Sequence, residues 1–336
     1  MLNISKINQV DKNQMYKIYD KWPEIAEESF NKKYEQIKKE KIEHIIFSGM
    51  GGSGTIGDIF KAILSETNIH VSVVKGYILP KTVNDKTLVI CTSVSGNTIE
   101  TLNVLKDAFE KKIKIIAFSS GGKIEEYCKL NRINFRKIEE YHSPRCSLTS
   151  YIYSMLNILN PIIPISVEII NQSIDNLKKI KNKISSENIN NNNISLKLAK
   201  RIKEIPIIYY PNGLEAAAYR FKNSLQENAK NHVIVEDVVE ACHNGIVAWE
   251  KKSLVQPILL KGENDYKKTK ELWGIIEEYF KMKKIDYIVI NSIEGNILGK
   301  LMSLIYILDY TSIYKSILLG IDPTPVLSIE HIKSKL

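Results

Sequence analysis

The chain has 336 residues, of which 44% are hydrophobic and 25% are charged, a composition typical of globular proteins. Domains usually contain roughly 100–200 residues, so we expect two of them. The net charge of +9 favours anionic partners, although a solvated lysine-rich surface would give the same charge. Lysines are spread along the chain, and the absence of zinc-finger spacing and of a basic–aromatic pattern disfavours nucleic acid.

The four cysteines lie far apart and form no C-x-x-C pair: Cys91, Cys128, Cys146 and Cys242. This spacing predicts a reducing compartment and argues against a disulfide framework or a structural metal. The first 22 residues lack the apolar segment of a signal peptide, and no run of 18 uncharged apolar residues occurs. We therefore expect a cytoplasmic protein that does not span a membrane.

The first half of the chain alternates apolar runs with amphipathic segments, which predicts a parallel α/β sheet with helices on its faces. One or two helices are expected over residues 8–40. Strands are expected at 42–50, 69–77, 86–97, 113–120 and 133–138, with helices at 53–65, 100–112, 123–130 and 148–160.

A second α/β pattern follows a helical stretch that is interrupted by the asparagine-rich sequence SSENINNNNIS, which is expected to be an exposed loop. Strand–turn–helix order over 205–230 begins the pattern. Further strands fit 253–260 and 285–292, and helices fit 269–283 and 296–320. The predicted division is an N-terminal helical segment (1–40), a first domain (41–160), a linker (161–200) and a second domain with a C-terminal helix (201–336).

The stretch from Gly49 to Gly54, GMGGSG, fits the dinucleotide fingerprint G-x-G-x-x-G after an apolar strand. A dinucleotide site also needs an acidic residue near the end of the second strand, about 20 residues further on, to bind the ribose hydroxyls. No carboxylate occurs beside Val74 and Lys75, where that strand ends. The pattern therefore argues against a nicotinamide site, although Lys75 would suit a ribose phosphate and keeps an NADP site open.

A second loop, TSVSGNT at 92–98, follows the third strand and leads into a helix. It places the hydroxyls of Ser93, Ser95 and Thr98 at a helix N-terminus, where unpaired N–H groups and the helix dipole attract phosphate. The alternative is simple capping of the helix by Asn97 or Thr98. Capping needs one such group, whereas this loop has three hydroxyls, so the pattern favours an anion site.

The first loop completes the predicted site, because Gly51 and Gly52 let the backbone approach a ligand and Ser53 adds a hydroxyl. Loops that follow neighbouring strands of an open α/β sheet meet at a common ligand site. The sequence therefore predicts that both loops hold one small phosphorylated ligand.

At these loops the chain resembles the sugar isomerase (SIS) domain. Three further stretches narrow the resemblance: SPRCS at 143–147, ENAKNHVIVEDVVEACHNGIVAW at 227–249 and GIDPTPVLSIEHIKSKL at the C-terminus. Together they are similar to the bifunctional phosphoglucose/phosphomannose isomerases, found largely in archaea, over nearly the whole chain from about residue 40. The resemblance implies two tandem SIS domains, each a mainly parallel sheet flanked by helices, in a homodimer.

The resemblance also implies an activity, the interconversion of glucose 6-phosphate and fructose 6-phosphate, with mannose 6-phosphate as a further substrate. It places five residues at the phosphate: Gly52, Ser53, Ser93, Ser95 and Thr98. Four further residues would serve the chemistry: Arg145 beside the reacting carbons, Glu227 as proton-transfer base, and His243 of the neighbouring subunit with Lys333 in ring opening.

These residue types suit the chemistry, although each has an ordinary structural alternative. A carboxylate can move a proton between two carbons, a guanidinium stabilises the enediolate, and a histidine titrates near neutral pH. From sequence alone, the ordinary roles are the more common ones: a surface position for Glu227 and Arg145, a structural role for His243 and a frayed terminus for Lys333, and only the resemblance favours the catalytic roles. Proton transfer needs no cofactor or metal, and the histidines show no metal-ligand spacing.

One departure from the family pattern concerns Gly245, where the expected sequence His-Asn-Glu reads His-Asn-Gly. Two other functions remain open: a non-catalytic SIS-type sugar-phosphate sensor, and the isomerase half of glutamine–fructose-6-phosphate aminotransferase. The sensor would need a helix-turn-helix before the first loop, and the second would need an amidotransferase domain. Neither is evident in the chain.

Overall fold

The computed structural model describes residues 2–203 and 205–335, which form two compact units. The first-sheet unit comprises Lys21–Asn176 and Asn296–Gly299, and the second-sheet unit comprises residues 2–20, 177–295 and 300–335. Both units are built from parallel strands flanked by helices, which confirms the predicted α/β class. In the described part of the chain, no helix has the length and apolar character needed to cross a membrane.

The first-sheet unit contains five strands and most of the predicted N-terminal half. Its elements are α3 (Trp22–Asn31), β1 (His44–Ser48), α4 (Gly51–Leu64), β2 (His70–Val74), β3 (Thr87–Thr92), α5 (Ile99–Glu110), β4 (Lys114–Ser119), α6 (Gly122–Leu130), β5 (Asn134–Lys137), α7 (Leu148–Ile158) and most of α8 (Val167–Ile184).

The sheet of this unit has the strand order β2-β1-β3-β4-β5, and all its pairings are parallel. The central strands β1 and β3 are apolar runs that are buried along their whole length, because helices cover both faces of a parallel sheet. The strand order reverses between β1 and β3. In such sheets, the crevice at the carboxyl ends of the two strands is the usual ligand site.

The second-sheet unit contains four strands and both ends of the described chain. Its elements are α1 (Ile4–Val10), α2 (Met15–Asp20), the end of α8, α9 (Ile194–Arg201), β6 (Ile205–Tyr210), α10 (Glu215–Ala229), β7 (Ile234–Asp237), α11 (Val238–Ala241), a 3₁₀ helix (Gly245–Glu250), β8 (Val255–Lys261), α12 (Lys267–Met282), β9 (Ile288–Asn291), most of α13 (Ile297–Leu318) and α14 (Leu327–Lys333).

The second sheet has the order β7-β6-β8-β9, again with parallel pairing throughout. Its loops differ chemically from those of the first sheet. Pro211-Asn212-Gly213-Leu214 follows β6 and Gly262–Tyr266 follows β8, and neither loop contains a serine or threonine. The two halves therefore share an architecture, whereas the loops after β6 and β8 lack the hydroxyls of the first-sheet loops.

Three local expectations differ from the structure. The predicted helical stretch 8–40 forms separate short helices and then an irregular segment over 32–43. The strand β7 was not predicted, because its four residues end in two acidic side chains and carry too short an apolar signal. The asparagine-rich stretch 185–195 is exposed over 190–192, but Ser185, Asn193 and Ser195 are buried, and Asn193 caps α9 by accepting from the Leu196 N–H (2.8 Å).

A buried ion pair connects two helices of the second-sheet unit. Arg220 of α10 donates to Asp309 of α13, with its Nη2 atom 2.6 Å from Asp309 Oδ2. Ser224 Oγ donates to the other carboxylate oxygen at 2.6 Å, and Tyr19 OH lies 3.4 Å from Oδ2. All four side chains are buried. Because burying charge is costly unless it is paired, this network fixes how α10 lies along α13.

We expect Asp309→Asn to lower the free energy of unfolding by about 3–5 kcal/mol, because it leaves the Arg220 charge buried without its partner. Urea denaturation of the wild-type and variant proteins measures this change.

The matched control is Lys203→Met, which breaks the ion pair between Lys203 and Asp286 (2.9 Å), whose side chains are 57% and 54% exposed. Exposed pairs contribute about 0–1 kcal/mol, so this variant should change stability little. Equal losses in both variants would show that burial of the Arg220–Asp309 pair is not what stabilises the unit.

Candidate functional site

The two predicted phosphate loops lie side by side at the carboxyl edge of the first sheet. Ser48, the last residue of β1, is in register with Cys91 near the end of β3. The first loop leads directly into α4 and the second into α5, so two helix N-termini face the same edge. This arrangement brings together the five predicted phosphate residues, which are Gly52, Ser53, Ser93, Ser95 and Thr98.

The first loop turns sharply into α4 at Gly51, whose φ of +52° favours glycine. The N–H groups of Ser53 and Gly54 donate to the Met50 carbonyl at 3.0 and 3.2 Å. Gly51 and Gly52 precede them in the first helical turn, where N–H groups have no carbonyl one turn earlier to bond. These two amides can therefore donate to an anion.

The second loop is organised by hydrogen bonds among its own hydroxyls and amides. Ser93 Oγ lies 2.8 Å from Thr98 Oγ1 and also accepts from the Gly96 N–H at 3.1 Å. Ser95 Oγ accepts from the Asn97 N–H at 3.4 Å, and its side chain is half-buried. The loop thus gathers three hydroxyls before the first turn of α5.

The capping alternative for this loop is not what the structure shows. Thr98 occupies the N-cap position of α5, but its side chain makes no capping hydrogen bond. Asn97 is also engaged elsewhere, since its Oδ1 accepts from the Lys123 N–H (3.2 Å) and its Nδ2 donates to the Ser95 carbonyl (3.1 Å). The start of α5 is therefore left without the side-chain cap that Asn97 or Thr98 could have supplied.

A close backbone approach fixes the shape of the second loop. Gly96 has a φ of +69°, and a Cβ atom built on it would lie 1.7 Å from the Gly121 carbonyl oxygen. Gly122 has a φ of +71°, and its Cβ would lie 2.7 Å from the Ser95 carbonyl oxygen. Only glycine fits either position, so the start of α6 and the hydroxyl loop hold one another in place.

Three buried hydroxyls lie at or beside the loops without a hydrogen-bond partner within the described residues. They belong to Ser48 and Thr92, the last residues of β1 and β3, and to Thr101 in the first turn of α5. All are at most 2% exposed.

The dinucleotide alternative lacks an acidic residue directly after β2 that could bind the ribose hydroxyls. Lys75 follows β2 directly, and its Nζ lies 2.6 Å from Asp58 Oδ2 of α4. The carboxylate beside the end of β2 is therefore that of Asp58, which belongs to α4 and is bonded to Lys75. It does not follow β2, where a ribose-binding acid would be expected.

Arg145 lies in the same unit as the phosphate loops, in the turn that precedes α7. It is 6% exposed, so the alternative of an ordinary surface arginine is wrong. The turn is held by Ser147, whose Oγ donates to the Ser143 carbonyl (3.0 Å) and accepts from the Tyr141 N–H (2.9 Å). A buried guanidinium in a braced turn is the kind of group that can stabilise a negative charge in place.

Glu227 lies in the last turn of α10, in the second-sheet unit, and is half-buried. Its neighbour Asn228 is fully buried and donates to Ser312 Oγ of α13 at 2.8 Å. The helix is followed by its C-cap residue Lys230, whose φ is +58° and whose Nζ donates to the Pro325 carbonyl at 2.7 Å. The end of α10 is therefore fixed both by α13 and by the segment that leads into α14.

His243 lies in the turn between α11 and the 3₁₀ helix, and its side chain is exposed. Its backbone N–H donates to the Glu240 carbonyl at 2.9 Å. A Cβ at Gly245 would lie 2.5 Å from the carboxylate of Glu236 in β7, so a side chain there would displace this flexible group. Burial and the nearby Glu240 raise the pKa of Glu236. A carboxylate thus lies beside this turn without a glutamate at 245, and no sequence pattern pointed to it.

Lys333 ends α14, a helix with no buried residue, and its side chain is exposed. The structure places Glu227, His243 and Lys333 on three separate elements of the second-sheet unit, and their roles stay predictions. Among the residues that the structure describes, no cluster of three or more His, Cys, Asp or Glu side chains could hold a metal ion.

Comparisons with known proteins agree with this architecture. The C-terminal domain of glucosamine-fructose-6-phosphate aminotransferase from Francisella tularensis superposes with a TM-score of 0.67 at 17% identity, covering 92% of this chain and 96% of that one. A D-glucosamine-6-phosphate 4-epimerase from Sulfolobus acidocaldarius is 29% identical, over 71% of this chain and 74% of its own. The first similarity shows the fold alone.

Two family models match consecutive parts of the chain, the SIS domain over residues 36–160 and the bacterial phospho-glucose isomerase C-terminal SIS domain over 191–336. A bifunctional phosphoglucose/phosphomannose isomerase from Caldicellulosiruptor bescii is 32% identical over 310 residues, 89% of this chain and 91% of its own. With this identity over nearly the full length of both proteins, the chain belongs to the family of bifunctional phosphoglucose/phosphomannose isomerases.

Proposed function

We propose that the protein interconverts fructose 6-phosphate with glucose 6-phosphate, and with mannose 6-phosphate as a further substrate. The observation that carries the proposal is the uncapped start of α5, where the Thr98 hydroxyl turns to Ser93 and leaves the helix end open to an anion. Family membership makes the protein an isomerase of sugar phosphates.

The phosphate group is proposed to bind at the carboxyl edge of the first sheet. The amide of Gly52 and the side chain of Ser53 would bind it from the start of α4, and Ser93, Ser95 and Thr98 would bind it from the second loop. Charge-assisted hydrogen bonds to phosphate are about twice as strong as neutral ones. The two helix dipoles add to the attraction.

The chemical step is the transfer of a proton between C1 and C2 through a cis-enediolate. Glu227 is proposed as the base that takes the proton from one carbon and returns it to the other. Arg145 is proposed to lie beside the enediolate oxygens, where its charge stabilises the transition state more than the ground state. Its burial supports this role, because a guanidinium removed from water interacts more strongly with a developing charge.

Ring opening comes before isomerisation, because hexose phosphates are mostly cyclic in water. We propose that His243 of a neighbouring subunit transfers the ring proton, with assistance from Lys333, in a homodimer. The exposure of His243 supports this arrangement, since an imidazole at the surface is accessible to a second copy of the chain. For Lys333 to act, α14 has to lie over the substrate.

The direct test is to incubate the purified protein with fructose 6-phosphate and EDTA and to separate the hexose phosphates formed. Glucose 6-phosphate and mannose 6-phosphate are the expected products, and the same separation detects 4-epimers. Failure to form glucose 6-phosphate would contradict the proposed reaction. Binding of fructose 6-phosphate without any turnover would instead favour the sensor function.

We expect Glu227→Gln to reduce kcat by about 10²–10⁴-fold, the usual contribution of a general base, with a much smaller change in KM. Steady-state kinetics with fructose 6-phosphate measure both constants. Glu215→Gln, at the first turn of the same helix, is the control and should keep near-normal kcat. Full turnover by Glu227→Gln would exclude this residue as the base.

We expect Ser95→Ala to raise KM about 10-fold or more while changing kcat less, because it removes a donor to the charged phosphate. Competitive inhibition by inorganic phosphate should weaken in parallel. Ser65→Ala, which alters an exposed hydroxyl at the far end of α4, is the control. An unchanged KM and inhibition constant would remove Ser95 from the phosphate site.

A further inference from the structure

The side chain of Lys75 crosses the start of α4, beside the first phosphate loop. Lys75 directly follows β2, which pairs with β1 in the first sheet. A Cβ atom built on Gly54 would lie 3.2 Å from the Lys75 Cε and 3.4 Å from its Cγ. The same Cβ would lie 2.9 Å from the Gly49 carbonyl oxygen, so both this carbonyl and the aliphatic part of the lysine lie against Gly54 in the first turn of the helix.

The ammonium group of Lys75 is bonded to Asp58, one turn further along α4. The Nζ to Oδ2 distance is 2.6 Å, and the side chains are 42% and 11% exposed. A largely buried carboxylate on this helix would repel an anion at the helix N-terminus, because charges attract or repel strongly where water is excluded. The pair with Lys75 cancels this repulsion and holds the lysine beside the loop before any ligand arrives.

The phosphate loops themselves provide only neutral donors. Over residues 49–54 and 92–98 the chain contains glycine, serine, threonine, asparagine and apolar residues, and no lysine or arginine. A phosphate monoester carries about −1.5 to −2 charge at pH 7. Lysine is a common phosphate ligand that acts as a point charge, and Lys75 is the cation whose side chain packs on the first turn of α4.

On the basis of the proposed function, we propose that Lys75 is the cationic ligand of the substrate phosphate and bridges it to Asp58. An ammonium group has three N–H donors, so it can serve the carboxylate and a phosphate oxygen together. The Cε atom of Lys75 lies beside Gly54, the residue after Ser53, which puts the ammonium group close to the start of α4. Asp58 acts as a positioning residue that holds the ammonium at the loop.

The test compares four variants by calorimetric titration with inorganic phosphate and with fructose 6-phosphate, and by steady-state kinetics. Lys75→Met should weaken both ligands about 10–100-fold, the effect expected for loss of a charge-assisted hydrogen bond, and should raise KM more than it lowers kcat. Lys61→Met removes an exposed lysine from the same helix and should leave both affinities within a factor of two of wild type.

Asp58→Asn and the double variant Asp58→Asn/Lys75→Met separate direct binding from simple charge compensation. If Lys75 contacts the phosphate, Asp58→Asn weakens binding less than Lys75→Met, because it removes the group that positions the ammonium but keeps the cation, and the double variant stays as weak as Lys75→Met. Recovery of wild-type affinity in the double variant would show that the lysine only neutralises Asp58, and would overturn the proposal. Unchanged affinity in Lys75→Met would overturn it as well.

The titrations do not depend on turnover, so the two proposals fail separately. Wild-type protein that binds phosphate through Lys75 but does not isomerise fructose 6-phosphate would contradict the proposed function and leave the phosphate ligand in place. Active protein whose phosphate affinity is unchanged by Lys75→Met would support the proposed function and exclude Lys75 as the phosphate ligand. Wild-type protein that binds neither ligand would overturn the role of Lys75.

Discussion

The parallel pairing of β1 with β3 is the constraint on which the proposed site depends. Because the two strands run side by side in the same direction, both end at one edge of the sheet, and the helices that follow begin there. The peptide dipoles of α4 and α5 then point their positive ends at a common region. The loops need only small residues and hydroxyls to turn this region into a cradle for an anion.

The two sheets have related architectures but different chemistry at their loops. The first sheet is followed by glycines and hydroxyls, whereas the loops after β6 and β8 of the second sheet lack serine and threonine. The second unit instead contains the proposed acid–base residues Glu227, His243 and Lys333. Its buried Arg220–Asp309 pair fixes the helix that carries Glu227 to α13.

Much of this fold could be predicted from sequence, because long apolar strands and amphipathic helices leave clear periodic patterns. The two loops were predicted from a different signal, because glycines and several hydroxyls that follow a strand and precede a helix are typical of phosphate-binding loops. The four residues of β7 were missed because a short strand ending in Glu236 and Asp237 resembles a loop. The burial of Arg145 was also beyond the sequence, because burial depends on packing against elements distant in the chain.

The contacts made by Glu236 and Lys75 show a second limit on sequence-based prediction. Both are charged side chains that pack against a glycine from another element, Gly245 and Gly54 respectively. A glycine in a sequence indicates only that a side chain is missing, and cannot tell which neighbour fills the space. The pattern GMGGSG therefore predicted close approach to a ligand, while the contact of Gly54 with a lysine became evident only in three dimensions.

The close approach of Gly96 to Gly121 has a consequence for how this protein can diverge. Since a Cβ atom at position 96 would overlap a backbone carbonyl, glycine there is a requirement of the fold and is independent of the ligand. Ser95, next to it, has no such steric requirement. A lineage that abandoned sugar phosphates while keeping its shape would therefore retain glycine at 96 and drift at 95. Neighbouring positions of one loop are thus constrained by different requirements, position 96 by the fold and position 95 by the ligand.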